Sequence, residues 1–368
     1  MVIQTILIYL ILTIVLYFAS KSAEQNNKFL PIVGAIFLYA VIFGLRTGVG
    51  VDFWGYKEWY DIAVAGFDVN SDTEVGFNLL IKTCVNLGLP FSVFLFNVAF
   101  IQLLLVYLSV KPYKPAYSML ALTFMLGCIW LTYANGLRQQ IAFCIFAYSI
   151  QFIADRSIIK HYLCILIACL FHSSAILLVI FYPLFLLRAE FFHKLSIQYI
   201  LLGISLMLST MSIVSNIVVP LEQFAEVLGY GYYFDNKEIE FSEDVHIGLG
   251  FFINLLLAIF IIYNSNFVKG YYKHPFVSII YDLLFIGIIW QYVFIDSHLF
   301  SRINYYLLGF QYIFAALSLA ALRKTRPYQY YIILGLYILI FIATLYRMKD
   351  NTALFVFNWQ DYQFPIVM

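Results

Sequence analysis

Apolar stretches of roughly 18–23 residues recur along the chain and are separated by short polar segments. A helix of that length crosses a hydrocarbon layer of ~30 Å. The pattern therefore predicts an all-α, polytopic integral membrane bundle with about ten full spans, built as a single membrane domain over residues 1–368. The predicted spans are 1–20, 29–45, 91–110, 117–134, 137–154, 197–219, 248–264, 276–294, 303–322 and 329–346.

The apolar segment 160–187 does not fit this scheme, because about 42 Å of helix is too long for one upright span and too short for two. The run Phe171-His172-Ser173-Ser174 interrupts it near its middle. If the segment forms a hairpin with two half-length arms, 13 of the 21 Lys and Arg residues fall on one face of the membrane, whereas a single crossing divides them 10 against 11. Because basic loops favour the cytoplasm, we predict the hairpin, a cytoplasmic basic face and outer termini.

The predicted outer face carries 16 of the 20 acidic residues. Its segments 46–90 and 220–247 exceed the inner loops in length, and long loops tend to carry function. Within the first segment, residues 74–88 are amphipathic at helical spacing, which predicts a helix along the outer membrane surface; a tilted extension of the 91–110 span is the alternative. We therefore expect the active site on the outer face.

Composition narrows the classes of function. Apolar residues make up 63% of the chain and charged residues 11%. The net charge of +1 is uninformative about nucleic acid, but the sequence has no basic run interleaved with aromatic residues, so we expect no nucleic-acid partner. The five cysteines lie in apolar stretches without metal-ligand spacing, which is typical of packing residues. The sequence contains no Walker, Rossmann, HExxH or GxSxG motif, so we expect no cofactor, no metal and a substrate that arrives already activated.

Three arginines lie at predicted outer ends of spans: Arg46, Arg138 and Arg302. A charged side chain beside lipid is costly unless it is paired or hydrated, and the planar guanidinium group matches phosphate oxygens. The arrangement predicts a diphosphate site. The alternative is that each arginine reaches the surface or pairs with a nearby acid, Arg46 with Asp52 and Arg302 with Asp296.

His172 is the first candidate for a general base. Each hairpin arm reaches about 20 Å, so the tip would end inside the membrane toward the outer face, where non-helical backbone must be buried or line a wet cavity. A histidine there could accept a proton from a sugar hydroxyl, or it could be a core residue at a broken helix that Ser173 caps. Asp52 and Glu74, which flank the first outer loop, are rival bases, and His298 is a further candidate.

Several short blocks of the sequence resemble the EpsG-like, Wzy-type bacterial polysaccharide polymerases, in the order in which that family carries them. Together they extend over roughly 45–310. The blocks are Arg46-Thr47-Gly48-Val49-Gly50-Val51-Asp52-Phe53, Glu74-Val75-Gly76-Phe77, Asn135-Gly136-Leu137-Arg138-Gln139-Gln140-Ile141-Ala142, Phe171-His172-Ser173-Ser174-Ala175 and Arg302-Ile303-Asn304-Tyr305-Tyr306.

The resemblance implies a GT-C-like polymerase architecture in the bacterial inner membrane, with the active site facing the periplasm. It implies a glycosyltransferase that moves a glycan chain from undecaprenyl diphosphate to the non-reducing end of a lipid-linked repeat unit. The arginines would then bind the diphosphate, and the candidate bases would accept the proton of the acceptor hydroxyl. The residues expected to contact sugar or phosphate are Tyr56, Asn135, Gln139, Gln140 and His298.

The partners expected for such an enzyme are undecaprenyl-diphosphate-linked oligosaccharides, the lipid bilayer and a chain-length regulator protein. Three other classes share some of its features: a flippase or transporter, an O-antigen ligase and a membrane acyltransferase. A transporter usually shows internal repeats and ionisable pairs at the midplane, and the sequence shows neither. A ligase would take a lipid A core acceptor, and an acyltransferase would take an acyl donor.

Overall fold

The computed structural model describes residues 2–68, 73–186, 192, 194–209, 248–295 and 298–348. Every regular element within these ranges is helical. The α-helices, numbered along the chain, are α1 (Val2–Asn26), α2 (Leu30–Gly44), α3 (Phe53–Val64), α4 (Val75–Asn86), α5 (Phe91–Ser109), α6 (Tyr117–Leu126), α7 (Ile129–Asn135), α8 (Leu137–Ala154), α9 (Ile158–Phe171), α10 (Phe181–Leu186), α11 (Leu195–Ser209), α12 (Leu249–Tyr272), α13 (Pro275–Val293), α14 (His298–Leu308), α15 (Phe310–Thr325) and α16 (Pro327–Met348). Short 3₁₀ helices cover Lys114–Ala116 and Ser173–Ile180.

The prediction of a polytopic helical membrane protein is confirmed. Within the described ranges six helices are long and apolar enough to span a membrane, or up to seven if the bent pair α6–α7 counts as one span. They are Ile6–Asn26, Phe91–Ser109, Leu249–Tyr272, Pro275–Val293, Phe300–Thr325 and Pro327–Tyr346. The count of ten full spans therefore stays a prediction, and the predicted outer segment 220–247 lies outside the described residues.

The predicted span 117–134 is not one straight helix. It is divided into α6 and α7, whose axes differ by 67°. The break falls at Cys128, whose φ of 53° lies in the left-handed region that non-glycine residues seldom adopt. The bend directs α7 inward, so that Trp130 is fully buried with its ring centroid 3.9 Å from that of Tyr9.

Contacts between the two arms show the chain reversal predicted within 160–187, whereas the placement of the hairpin in the membrane stays a prediction. The first arm is α9, and the second consists of the 3₁₀ helix Ser173–Ile180 followed by α10. The ring centroid of Tyr182 lies 5.4 Å from that of His161 and 5.5 Å from that of Tyr162. In one continuous helix these residues would be about 30 Å apart, so the chain must reverse its direction at His172.

The amphipathic stretch predicted for 74–88 forms the helix α4. Its buried residues, Phe77, Ile81 and Cys84, follow the helical repeat, whereas Val75 and Leu79 are exposed. A Cβ atom on Gly76 would lie 2.7 Å from the carbonyl oxygen of Leu170, so only glycine permits this close contact between α4 and α9. The contact brings the beginning of α4 next to the tip of the hairpin.

Candidate active site

Glu74, at the start of α4, binds two other predicted site residues at once. The Arg138 guanidinium donates from Nη1 to Glu74 Oε2 at 2.5 Å, and His172 Nδ1 lies 2.9 Å from Glu74 Oε1. The backbone N–H of Ser173 also donates to Oε1, at 3.1 Å. We call Glu74, Arg138 and His172 the Glu74 cluster. It joins the beginnings of α4 and α8 to the tip of the hairpin.

The local backbone explains these positions. Glu74 precedes the first turn of α4 in an extended conformation, which directs its side chain away from that helix. His172 is also extended, with φ −156° and ψ 119°, and separates α9 from the 3₁₀ helix. The N-cap of that helix is His172 rather than Ser173, and it makes no side-chain cap hydrogen bond, whereas the backbone N–H of Ser173 is bonded to Glu74. The serine cap of the alternative interpretation is therefore not observed, and the role of His172 stays a prediction.

The cluster fixes the charge of Glu74. Burial by itself would raise the pKa of this carboxyl, but the hydrogen bond from His172 and the positive charge of Arg138 outweigh burial and lower the pKa to about 2. Glu74 is therefore a carboxylate at neutral pH and can only accept hydrogen bonds. It follows that His172 carries a proton on Nδ1 and donates from it to Glu74; Nε2 is an acceptor in the tautomer that carries no second proton.

Tyr56 and Trp59 surround the guanidinium group of Arg138. The Tyr56 side chain is buried and hydrogen-bonds to Arg138; burial and the charge of Asp52 raise its pKa to about 12, against the lowering effect of Arg138. The guanidinium carbon of Arg138 also lies 5.1 Å from the centroid of the Trp59 ring. These contacts hold Arg138 in one orientation. Trp59 follows Tyr56 by three residues on α3, a spacing that places both side chains on the same side of the helix.

Asp52 immediately precedes α3, at the solvent-exposed edge of the cluster. Crowding by protein atoms raises the pKa of this carboxyl, whereas the positive charges of Arg302 and then Arg138 lower it, and the net direction is upward. Arg302 is exposed on α14 and is therefore accessible to a ligand. The acid suggested as its alternative partner, Asp296, lies outside the described residues.

Arg46 occupies a different environment from the other two arginines. Its side chain is buried, and Nη2 donates to the backbone carbonyl oxygen of Ala134 at 2.9 Å, which links the end of α2 to α7. Arg46 also contributes to the wall of a cavity of about 670 Å³, together with Thr47, Trp54 and Lys57. The three arginines thus lie around the beginning of α8, but at different depths.

The polar side chains predicted to contact substrate mostly stabilise the site itself. Asn135 Oδ1 accepts from the N–H of Val51 at 2.8 Å, a contact that a Cβ on Gly50 would obstruct, and the φ of Gly50 is +106°. The Gln139 amide donates from Nε2 to the carbonyl oxygen of Arg302 at 2.6 Å. Gln140 is buried within α8. A substrate contact by these three residues stays a prediction.

Two further positions complete the site. His298 is the first residue of α14, and its side chain lies outside the described part of the chain, so its role stays a prediction. Ser174 and the buried Tyr306 share a hydrogen bond of 3.0 Å between their hydroxyl groups, which attaches the hairpin tip to α14. Tyr306 belongs to the block beginning at Arg302, but sequence reasoning gave it no function.

Among the described residues no group of three or more His, Cys, Asp or Glu side chains is arranged to hold a metal ion. The cations around the beginning of α8 are instead guanidinium groups, which can bind anionic oxygens directly.

Comparison with known proteins identifies one family. The EpsG family model matches residues 29–364, nearly the whole chain. No curated protein and no solved structure matches. The matched range includes the Glu74 cluster, all three arginines and the hairpin. Because the match extends over far more than half of the sequence, the chain belongs to the EpsG family, a Wzy-like family of polysaccharide polymerases.

Proposed function

We propose that this protein polymerises lipid-linked oligosaccharide repeat units at the Glu74 cluster. The donor is a glycan chain on undecaprenyl diphosphate, and the acceptor is the non-reducing end of a second lipid-linked repeat unit. Membership of the EpsG family supports the class of reaction. The observation that supports the site is the pairing of His172 and Arg138 with one carboxylate beside Asp52 and Arg302.

His172 is the proposed base. Glu74 accepts a hydrogen bond from the Nδ1–H group of His172. The other ring nitrogen, Nε2, can then take the proton of the acceptor hydroxyl. As this proton leaves, the acceptor oxygen forms a bond to the anomeric carbon of the donor, and the bond from that carbon to the diphosphate oxygen breaks. The imidazolium that results is stabilised by the adjacent carboxylate of Glu74. Asp52 is the second candidate base, because its raised pKa favours proton acceptance more than the lowered pKa of Glu74 does.

The diphosphate leaving group gains negative charge in the transition state, and fixed cations stabilise that charge best in a partly dehydrated site. Arg302 is accessible and Arg138 is held rigidly by Glu74 and Trp59, so these two arginines are proposed to contact the diphosphate. Arg46 is proposed to line the adjacent cavity. The aromatic and apolar side chains of that cavity are proposed to contact the first part of the polyprenyl chain.

The proposed location is the bacterial inner membrane with the cluster on the periplasmic side. The basic residues Lys21, Lys114, Arg156, Lys273 and Arg323 all lie toward the opposite end of the helices from Glu74. This distribution favours a cytoplasmic position for that opposite end. A chain-length regulator is a proposed partner, and the polymer is proposed to be an O-antigen, capsule or exopolysaccharide.

The decisive experiment uses the purified full-length protein in a bilayer with lipid-linked repeat units as the sole substrate. A polymerase produces a ladder of longer lipid-linked chains and releases undecaprenyl diphosphate. A flippase moves the substrate without lengthening it, a ligase requires lipid A core, and an acyltransferase requires an acyl donor. Absence of a ladder from active, folded protein would refute the proposed reaction.

A further inference from the structure

A second cavity lies at the opposite end of α8 from the Glu74 cluster. It has a volume of about 660 Å³ and is enclosed by the ends of α8, α10 and α12 and the beginning of α13. Since α8 contains 18 residues, the cavity lies about 27 Å from the candidate active site. The proposed transfer reaction does not involve it.

The cavity is positively charged. Arg156, Lys269 and Lys273 line it, whereas the acidic side chain among its described lining residues is that of Asp282. Arg156 and Lys273 are exposed at the mouth, and Lys269 and Asp282 are buried. An anion that enters the mouth would therefore meet two accessible cations before it reaches a third in the interior.

Lys269 provides the strongest evidence for a ligand. Its side chain is only 9% exposed, and among the described residues no hydrogen-bond acceptor or carboxylate oxygen lies within bonding distance of Nζ. The ring of Tyr281 lies close to it, with its centroid 5.0 Å from Nζ. A buried ammonium group is costly without a hydrogen-bonded counter-charge, and a single cation–π contact compensates only part of that cost. The geometry of the cavity allows an anion to supply the missing partner.

The other walls indicate the kind of anion. Phe185, Leu186 and Ile279 form an apolar side next to the cations, and the cavity opens between helix ends at the basic end of the bundle. Basic pockets between membrane helices on the cytoplasmic side commonly bind phosphate-containing headgroups. Three cations carry more positive charge than is needed to neutralise a ligand with one carboxylate group. The guanidinium group of Arg156 also matches the geometry of phosphate oxygens.

We propose that this cavity binds a phosphate group, with Lys269 as its innermost ligand and Arg156 and Lys273 at its mouth. The phosphate can belong to the headgroup of an anionic phospholipid, whose acyl chain would lie against the apolar side, or it can be free phosphate from solution. The proposal does not depend on the polymerase reaction, because it rests on residues at the other end of the bundle.

Delipidated full-length protein in a neutral detergent is titrated with phosphatidylglycerol, with phosphatidylcholine and with inorganic phosphate at constant ionic strength. Binding is measured by native mass spectrometry and by the change in Tm. Three variants are compared: Lys269→Met, the double variant Arg156→Gln with Lys273→Gln, and the control Lys324→Met. Lys324 is an exposed lysine in the last turn of α15 and does not line the cavity, so it matches Lys269 in its position on a helix.

We expect phosphatidylglycerol to bind the native protein and Lys324→Met equally, and to bind both cavity variants at least about tenfold more weakly. Phosphatidylcholine should show no such difference. If inorganic phosphate displaces phosphatidylglycerol, free phosphate is sufficient as a ligand; if it does not, the headgroup is bound as part of a lipid. Equal binding of phosphatidylglycerol by native protein and cavity variants overturns the proposal. If Lys269→Met fails to fold, the proposal is tested with the double variant, because its two substituted residues are exposed and their replacement should not disturb folding.

Discussion

Substitution of Glu74 by Gln removes the charge on which the candidate site depends while nearly preserving its shape. In the native protein this carboxylate accepts hydrogen bonds from Arg138, His172 and the N–H of Ser173. A Gln side chain offers one oxygen and one NH₂ group, so at least one of the three donors must face another donor. Without the carboxylate, the ring proton of His172 is no longer held on Nδ1 and can move to Nε2. In that tautomer Nε2 cannot accept the proton of the acceptor hydroxyl.

The expected loss of activity follows from these bonds. A hydrogen bond to a charged group contributes about 1.5–3 kcal/mol, which corresponds to roughly 10- to 100-fold in rate when it orients the base. Loss of the correct histidine tautomer adds to this, and removal of the orienting carboxylate from a His–Asp pair in serine proteases costs about 10⁴ in kcat. We therefore expect Glu74→Gln to lower the rate of polymerisation by about 10²–10⁴.

The same substitution should change the pH dependence of stability. The pKa of Glu74 is about 2 in the folded protein and 4.5 in an unperturbed chain, so the unfolded state binds more protons between these values. The carboxylate thus contributes stability above pH 4.5, and this contribution is lost as the pH falls toward 2. The difference corresponds to about 3 kcal/mol. The native protein should therefore lose more Tm between pH 6 and pH 3 than Glu74→Gln does.

Chain growth by purified protein on lipid-linked repeat units measures the rate, and a thermal scan at each pH measures Tm. Glu58→Gln is the matched control, since Glu58 is an exposed glutamate on α3 in the same outer segment. A Glu74→Gln protein that elongates chains at the native rate would refute the proposed role of the cluster, whatever its stability.

Four further predictions test separate parts of the site. Arg138→Lys keeps the charge but loses the guanidinium geometry, so the rate should fall about 100-fold or more with normal membrane insertion, measured as chain growth per unit of inserted protein. Asp52→Asn should reduce the rate less than Glu74→Gln does; a larger reduction would make Asp52 the base. Gly76→Ala should displace α4 from α9 and weaken the cluster, giving both a lower Tm and a lower rate. Cysteines introduced as Arg156→Cys and Lys194→Cys, in protein without its native cysteines, should resist an impermeant reagent added from outside; labelling of Lys194→Cys alone would contradict the hairpin topology.

The hairpin could be predicted from the sequence because two simple quantities define it. The length of 160–187 does not match the membrane thickness, and the polar run beginning at His172 marks the reversal. The contact of His161 with Tyr182 is the consequence. The break at Cys128 was not predicted in this way, because its one local signal is Gly127, the C-cap of α6, in an otherwise apolar stretch, and the left-handed φ of Cys128 depends on tertiary packing.

The residues of the candidate site could be predicted from their residue types. Which of these residues contact one another could not be predicted from the sequence. Charged and polar residues in an apolar chain indicated Glu74, Arg138 and His172 separately. Their mutual contacts join positions 64 and 98 residues apart, and no local pattern encodes such pairs. For Arg46 the partner is the backbone carbonyl of Ala134, which has no signature in the sequence at all. The lowered pKa of Glu74, which makes it a poorer proton acceptor than Asp52, likewise depends on groups that are distant in the sequence.

The most direct test of the central claim is the comparison of native protein with His172→Ala in a bilayer that contains only lipid-linked repeat units. We measure the amount of undecaprenyl diphosphate released for each repeat unit added to the chain. The native protein should release one diphosphate per unit and form a ladder, whereas His172→Ala, with normal Tm and membrane insertion, should bind the substrate and form no ladder. A His172→Ala protein that forms the ladder at the native rate would contradict the claim that transfer depends on the Glu74 cluster.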